Sequence, residues 1–82
     1  MKLRELKLLC YTLQKYGKYA PEMWQYITPL QIYEEAEQKY KENDFGYVLI
    51  CTLMRDLAEE LVKDLPEEQQ KKLKRELAKI EL

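Results

Sequence analysis

The residues best suited to covalent chemistry in this chain are two cysteines, Cys10 and Cys51. Neither belongs to a Cys-x-x-Cys pair, and both stand in apolar stretches with helical spacing. They therefore read as buried, reduced thiols. Carboxylates recur at helical spacing in Glu34 with Glu37 and in Asp56 with Glu60. Acid–base or di-metal chemistry would need such groups on an inner face, usually beside histidine. The chain has no histidine and no serine. That removes Ser–His–Asp and Cys–His nucleophilic sites, the common general base at neutral pH, and histidine-based metal sites. The carboxylate pairs fall on polar faces and read as solvated surface. Asn43-Asp44-Phe45-Gly46 lacks the alternating oxygen ligands and closing glutamate of a calcium loop. With Gly17 and Gly46 as the only glycines, no glycine-rich phosphate loop is available. No catalytic residue, metal or cofactor is expected.

Aromatic and basic groups could serve recognition instead. Tyr19, Tyr26, Tyr33, Tyr40 and Tyr47 recur every seven positions, but Pro21, Pro29 and Gly46 interrupt any continuous helix through them. Only Tyr33 and Tyr40 are expected to share a helical face. Tyrosine and tryptophan bury large areas at low entropic cost and often anchor interfaces. Trp24, Tyr26, Tyr33 and Tyr40 are thus candidate partner contacts. Charge is segregated. Residues 1–21 carry a net +4, residues 22–68 a net −8 and residues 69–82 a net +3. Opposed patches of this kind solvate the chain, complement one another internally, or steer docking. Lys71, Lys72, Lys74 and Arg75 offer a nucleic-acid alternative. The isoelectric point near 5.5 and the lack of a basic helix after a tight turn make nucleic acid the lesser reading.

Helical periodicity dominates the elements that must position these groups. Fourteen leucines outnumber two valines and four isoleucines, and no Asn-Gly or Asp-Gly turn occurs. Leu3, Leu6, Leu9 or Cys10, Leu13 and Tyr16 predict a first helix over about 2–16, closed by Gly17 as a left-handed cap. Leu8 sits off that stripe, where it widens the face or meets a partner. Pro21 suits the start of a short helical turn, with Glu22 near its positive end. Thr28-Pro29-Leu30-Gln31 is a capping box with proline at the first helical position. It opens a second helix over 29 to about 42, with Ile32 or Tyr33, Ala36 and Tyr40 inward and Glu34, Glu35, Glu37 and Glu42 outward. Asp44 can cap a third helix from 45 to 63 or 64. The run Tyr47–Met54 is apolar all round, so this helix is expected at the centre, between the first two. A buried strand is the alternative for this run. The continuing spacing of Leu49, Leu53, Leu57 and Leu61 favours the helix. Leu65-Pro66-Glu67-Glu68 restarts the chain into a fourth helix, 66 to about 80. Its thin stripe of Leu73, Leu77 and Ile80 predicts fraying, or docking on a neighbouring subunit as a second contact patch.

The chain has 82 residues, 46% of them hydrophobic and 35% charged, which suits one folded domain over 1–82 and no disordered tail. A chain this short buries only about 60–65% of its unfolded surface, so self-association or a partner is expected. No secretory leader is expected, because Lys7 interrupts the N-terminal apolar stretch. The Tyr47–Met54 run is too short to cross a bilayer. Reduced thiols point to the cytoplasm.

The segment Trp24-Gln25-Tyr26-Ile27-Thr28-Pro29-Leu30-Gln31-Ile32-Tyr33, followed by a charged helix and then an apolar one, resembles small phage tail assembly chaperones and related tail-gene products. An aromatic residue, a short turn and Thr-Pro-x-Glu-Ile lead into a helix in that family. Trp24, Thr28, Pro29 and Ile32 match, while Gln31 stands where glutamate is usual. The likeness covers about 24–57 and implies a non-enzymatic helical protein that binds a tail component during assembly.

Together these readings give an all-α bundle of three main helices plus a C-terminal helix. It acts as a cytoplasmic, non-membrane interaction module whose partner is another protein or a second copy. The alternative is a small nucleic-acid-associated regulator.

Overall fold

The computed structural model describes residues 2–19 and 22–80, and among them it contains four α-helices and no strand. They are α1 (Leu3–Lys15), α2 (Pro29–Lys39), α3 (Phe45–Asp64) and α4 (Glu67–Ala78). Two 3-10 turns, Gly17–Tyr19 and Glu22–Gln25, cross from α1 to α2. Pro21, expected to open the second turn, and the Tyr19 side chain lie outside the described residues. The bundle measures 36 × 27 × 15 Å over its Cα atoms, a slab about two helices thick.

The first two helices begin where side chains supply partners for orphan backbone amides. At α2, Thr28 Oγ1 accepts from the Gln31 amide at 3.2 Å, and Gln31 Oε1 accepts from the Thr28 amide at 2.9 Å. This is the expected capping box. α1 and α2 also cap each other. Gln14 Oε1 of α1 accepts from the Leu30 amide at the start of α2. Beyond the other end of α2, Glu42 Oε1 accepts from the Leu3 amide at the start of α1. Reciprocal caps at opposite ends hold the two helices antiparallel.

The core is carried by α1. Leu6, Leu9, Cys10 and Leu13 are all fully buried, and α1 and α3 each pack against the other three helices. Tyr33 and Ala36 of α2 face it, with Tyr47, Cys51, Met54, Ala58 and Leu61 from α3, Leu73 from α4, and Leu65 and Ile80 from the segments flanking α4. The expectation that α3 is sandwiched between α1 and α2 is corrected, because α1 and α2 pack mainly on each other. Only one face of α3 is buried, and Leu49 and Leu53 turn outward.

Three terminal details also differ from expectation. Gly17 is not a left-handed cap, since no described glycine has positive φ; it opens a 3-10 turn instead. Asp44 occupies the position before α3 without capping it, because its Oδ2 accepts from the Lys41 amide at 2.9 Å. Helix α2 stops at Lys39 rather than near Glu42, because Tyr40 is extended at φ −129° and ψ 151°. Helix α4 docks on the core of its own chain. Leu73 is fully buried on its own core, and Glu76 ties the helix to α1.

Candidate functional site: an exposed apolar face on α3

Four large apolar side chains stand on the outer face of α3. Phe45 is 77% exposed, Val48 49%, Leu49 52% and Leu53 47%. Spacings of three and four place them over about two and a half turns of one helix face. Thr52 lies among them, and its hydroxyl donates to the Val48 carbonyl at 3.0 Å. That bond satisfies the only polar side chain in the row internally, so the face is apolar from Phe45 to Leu53. Continuing along the same face, exposed Asp56, Glu59 and Glu60 make its second half mainly acidic, with Lys63 at 3.7 Å from Glu60 closing the row. Contiguous apolar exposure of this kind marks interaction surfaces, whereas single exposed leucines do not.

Tyr40 forms the flank of this face. A Cβ built on Gly46 would lie 2.6 Å from Tyr40 Cε1, so the ring rests directly on the glycine at the start of α3. The extended backbone that ends α2 delivers the ring there. Tyr40 remains 38% exposed.

The expected contact residues divide. Tyr26, at 86% exposed, and Tyr40 are accessible. Trp24, Tyr33, Leu73 and Ile80 are core residues, with exposures of 8% or less, and are corrected as contacts. Their side chains close the interior between α1 and its neighbours, which leaves no surface to offer. Leu77 is half-buried and floors an open groove of about 430 Å³ between α3 and α4, together with Ala58 and Val62. Tyr33 and Tyr40 do not share a face, because the helix ends between them. Lys7 sits 6.0 Å from the Tyr33 ring centroid, at the outer limit of a cation–π contact.

The outer face of α3 was hidden by the run Tyr47–Met54, which reads as buried all round. A signal was nevertheless present. Extending the charged positions Asp56, Glu59 and Glu60 backward at helical spacing lands on Leu53, Thr52, Leu49, Val48 and Phe45.

The titratable groups are arranged for structure. Burial pushes the Cys10 thiol up to about 12, with nearby Cys51 adding to the effect, so this thiol stays protonated and weakly nucleophilic. Glu34, Glu37, Asp56 and Glu60 are exposed, and no group of three or more metal-ligating side chains occurs among the described residues. Glu76 accepts from Lys15 Nζ at 2.6 Å and from the Tyr16 hydroxyl at 2.9 Å, and these bonds hold its carboxyl below the usual range. Two buried donors, Trp24 Nε1 and Arg55 Nε, have no hydrogen-bond partner among the described residues. No described helix is long and apolar enough to cross a membrane.

No family model matches the chain, and no curated protein or solved structure matches it significantly. The functional reading therefore rests on the geometry above.

Proposed function

We propose that this protein is a non-catalytic interaction module that binds another protein through the outer face of α3. The observation that carries this is the contiguous exposure of Phe45, Val48, Leu49 and Leu53 on one helix face. Hydrophobic burial supplies the affinity of such a contact, and the acidic second half of α3 supplies orientation. A protonated, buried Cys10 and solvated carboxylates support a non-catalytic role. Buried free thiols support residence in the cytoplasm.

A narrower form of this proposal is a phage tail assembly factor. It is supported by the resemblance over residues 24–57, a segment that includes the apolar half of the α3 face. A tail component among the captured proteins would favour it.

The test is affinity capture from cells of the source organism, with the wild type and Phe45→Ser/Leu49→Ser side by side. Both substituted residues are exposed, so circular dichroism should not change. The expected result is a partner enriched at least about tenfold less by the variant. A partner retained equally by both proteins would remove the α3 face from the interaction.

One observation favours a second reading. Helices α1 and α4 pack together, Arg4 and Lys79 line one cleft between them beside Glu5, and Lys71, Lys72, Lys74 and Arg75 are exposed along α4, with Lys74 at the groove toward α3. A nucleic-acid role through this basic side requires affinity that falls steeply with added salt. Binding to duplex or single-stranded probes that stays weak at low salt would exclude it.

A further inference from the structure

We infer that the occupant of the α3 face is a second copy of this chain, packed antiparallel across a two-fold axis near Leu49. This rests on the interaction reading above and names its partner. The first argument is charge. In an antiparallel pair centred on Leu49, Leu53 of each copy meets Phe45 of the other. Asp56, Glu59 and Glu60 then lie just past Phe45, at the positive N-terminal pole of the other copy's α3. Of the two exposed lysines before that pole, Lys39 is paired with Glu35 at 2.7 Å, so the pole itself and Lys41 are what face Asp56 and Glu59, while Glu60 lies 3.7 Å from its own Lys63. The carboxylates nearest the pole, Glu42 and Asp44, accept from the Leu3 and Lys41 amides. Parallel pairing would instead set the acidic half of one α3 against the acidic half of the other, which is unfavourable.

The second argument is area. Phe45, Val48, Leu49 and Leu53 offer on the order of 400 Å² of exposed apolar side chain. Tyr40, Thr52 and the charged flanks bring the footprint to roughly 600 Å² per copy, near the lower bound for a specific interface. The i, i+4 ridge Phe45–Leu49–Leu53 is suited to interdigitate with its own copy. Because the surface is self-complementary, association closes at two chains and does not propagate.

The experiment is sedimentation of the full chain over about 5–200 µM, a range that spans the micromolar affinity such an area supports. The expected result is a monomer–dimer equilibrium. Leu49→Glu should weaken it at least about 100-fold while helicity is kept. Register is read by cysteine pairing under a glutathione redox buffer. Leu49→Cys should link to itself, whereas Phe45→Cys should link to Leu53→Cys in a mixture and to itself poorly. A wild-type monomer throughout the range, a dimer unaffected by Leu49→Glu, or growth beyond two chains would overturn the inference. If the chain is monomeric but the Phe45→Ser/Leu49→Ser variant still loses a captured partner, the second copy is rejected and the interaction reading survives. If Leu49→Glu abolishes the dimer while capture is unchanged, the dimer stands and the foreign partner is rejected.

Discussion

The Tyr40 ring lies over Gly46 so closely that a methyl group at that position would fall 2.6 Å from Cε1. The contact joins the end of α2 to the start of α3 and sets the edge of the exposed apolar face. Only a residue without Cβ permits it.

Gly46→Ala should therefore displace the ring while leaving the fold intact. The clashing atoms belong to the outer part of one side chain, which can swing toward solvent. Alanine also favours the helical backbone by up to about 1 kcal/mol, offsetting part of the lost contact. The net change in stability should stay within about 1 kcal/mol in urea unfolding, with increased solvent exposure of Tyr40 by NMR. An unmoved Tyr40 ring, or a loss of several kcal/mol, would contradict this account.

Much of the architecture is legible in the residues because local signals act alone. Thr28, Pro29 and Gln31 form their capping box within four residues, and the leucine stripe of α1 is buried as its spacing requires. Misreadings arise where a distant group competes. Asp44 could cap α3, but the Lys41 amide holds its carboxylate, and Tyr40 leaves α2 for Gly46. The α3 face was illegible for another reason. An apolar run says that a segment avoids water somewhere, and it cannot say whether its own chain or another supplies the cover.

The Tyr16–Glu76–Lys15 cluster predicts a pH dependence at both extremes. Lys15, then Tyr16, hold the Glu76 carboxyl below 4.5 against the opposing effect of burial. A carboxylate depressed in the folded state stabilises the fold above its unfolded pKa, and that contribution is lost as pH falls through the folded value. Tyr16 is pushed up to about 12 by burial and by its bond to Glu76. Its contribution is complete below pH 10 and disappears as pH rises through 12. Lys15 is well exposed, so solvent screening limits its ion pair with Glu76 to about 1 kcal/mol or less. Urea midpoints should show Glu76→Gln flattening the decline below pH 4.5 and Tyr16→Phe removing part of the decline above pH 10. Profiles parallel to wild type would disprove the linkage.

The two thiols should be chemically silent in the folded protein. Both are buried, and burial pushes the Cys10 thiol up to about 12, so Cys10 carries almost no thiolate near neutrality. A disulfide reagent at pH 8 should modify them only through opening of the fold, with rates that rise steeply in urea. Rapid labelling of either thiol without denaturant would place it at a surface, contrary to this packing.

Leu9 and Leu53 provide a comparison in which residue type is held constant and environment changes. Leu9 is fully buried on α1, while Leu53 is 47% exposed on α3. Truncating Leu9 removes contacts on all sides and leaves a cavity, so Leu9→Ala should cost about 2–5 kcal/mol. Leu53→Ala, measured in dilute solution where the chain is monomeric, should cost about 0.5 kcal/mol or less. At concentrations that support pairing, Leu53→Ala should become costly as well, because the partner copy's Phe45 then covers it. Urea unfolding at two protein concentrations measures both effects. A Leu53→Ala penalty as large as that of Leu9→Ala in dilute solution would mean that Leu53 is covered within a single chain, and the exposed face would cease to exist.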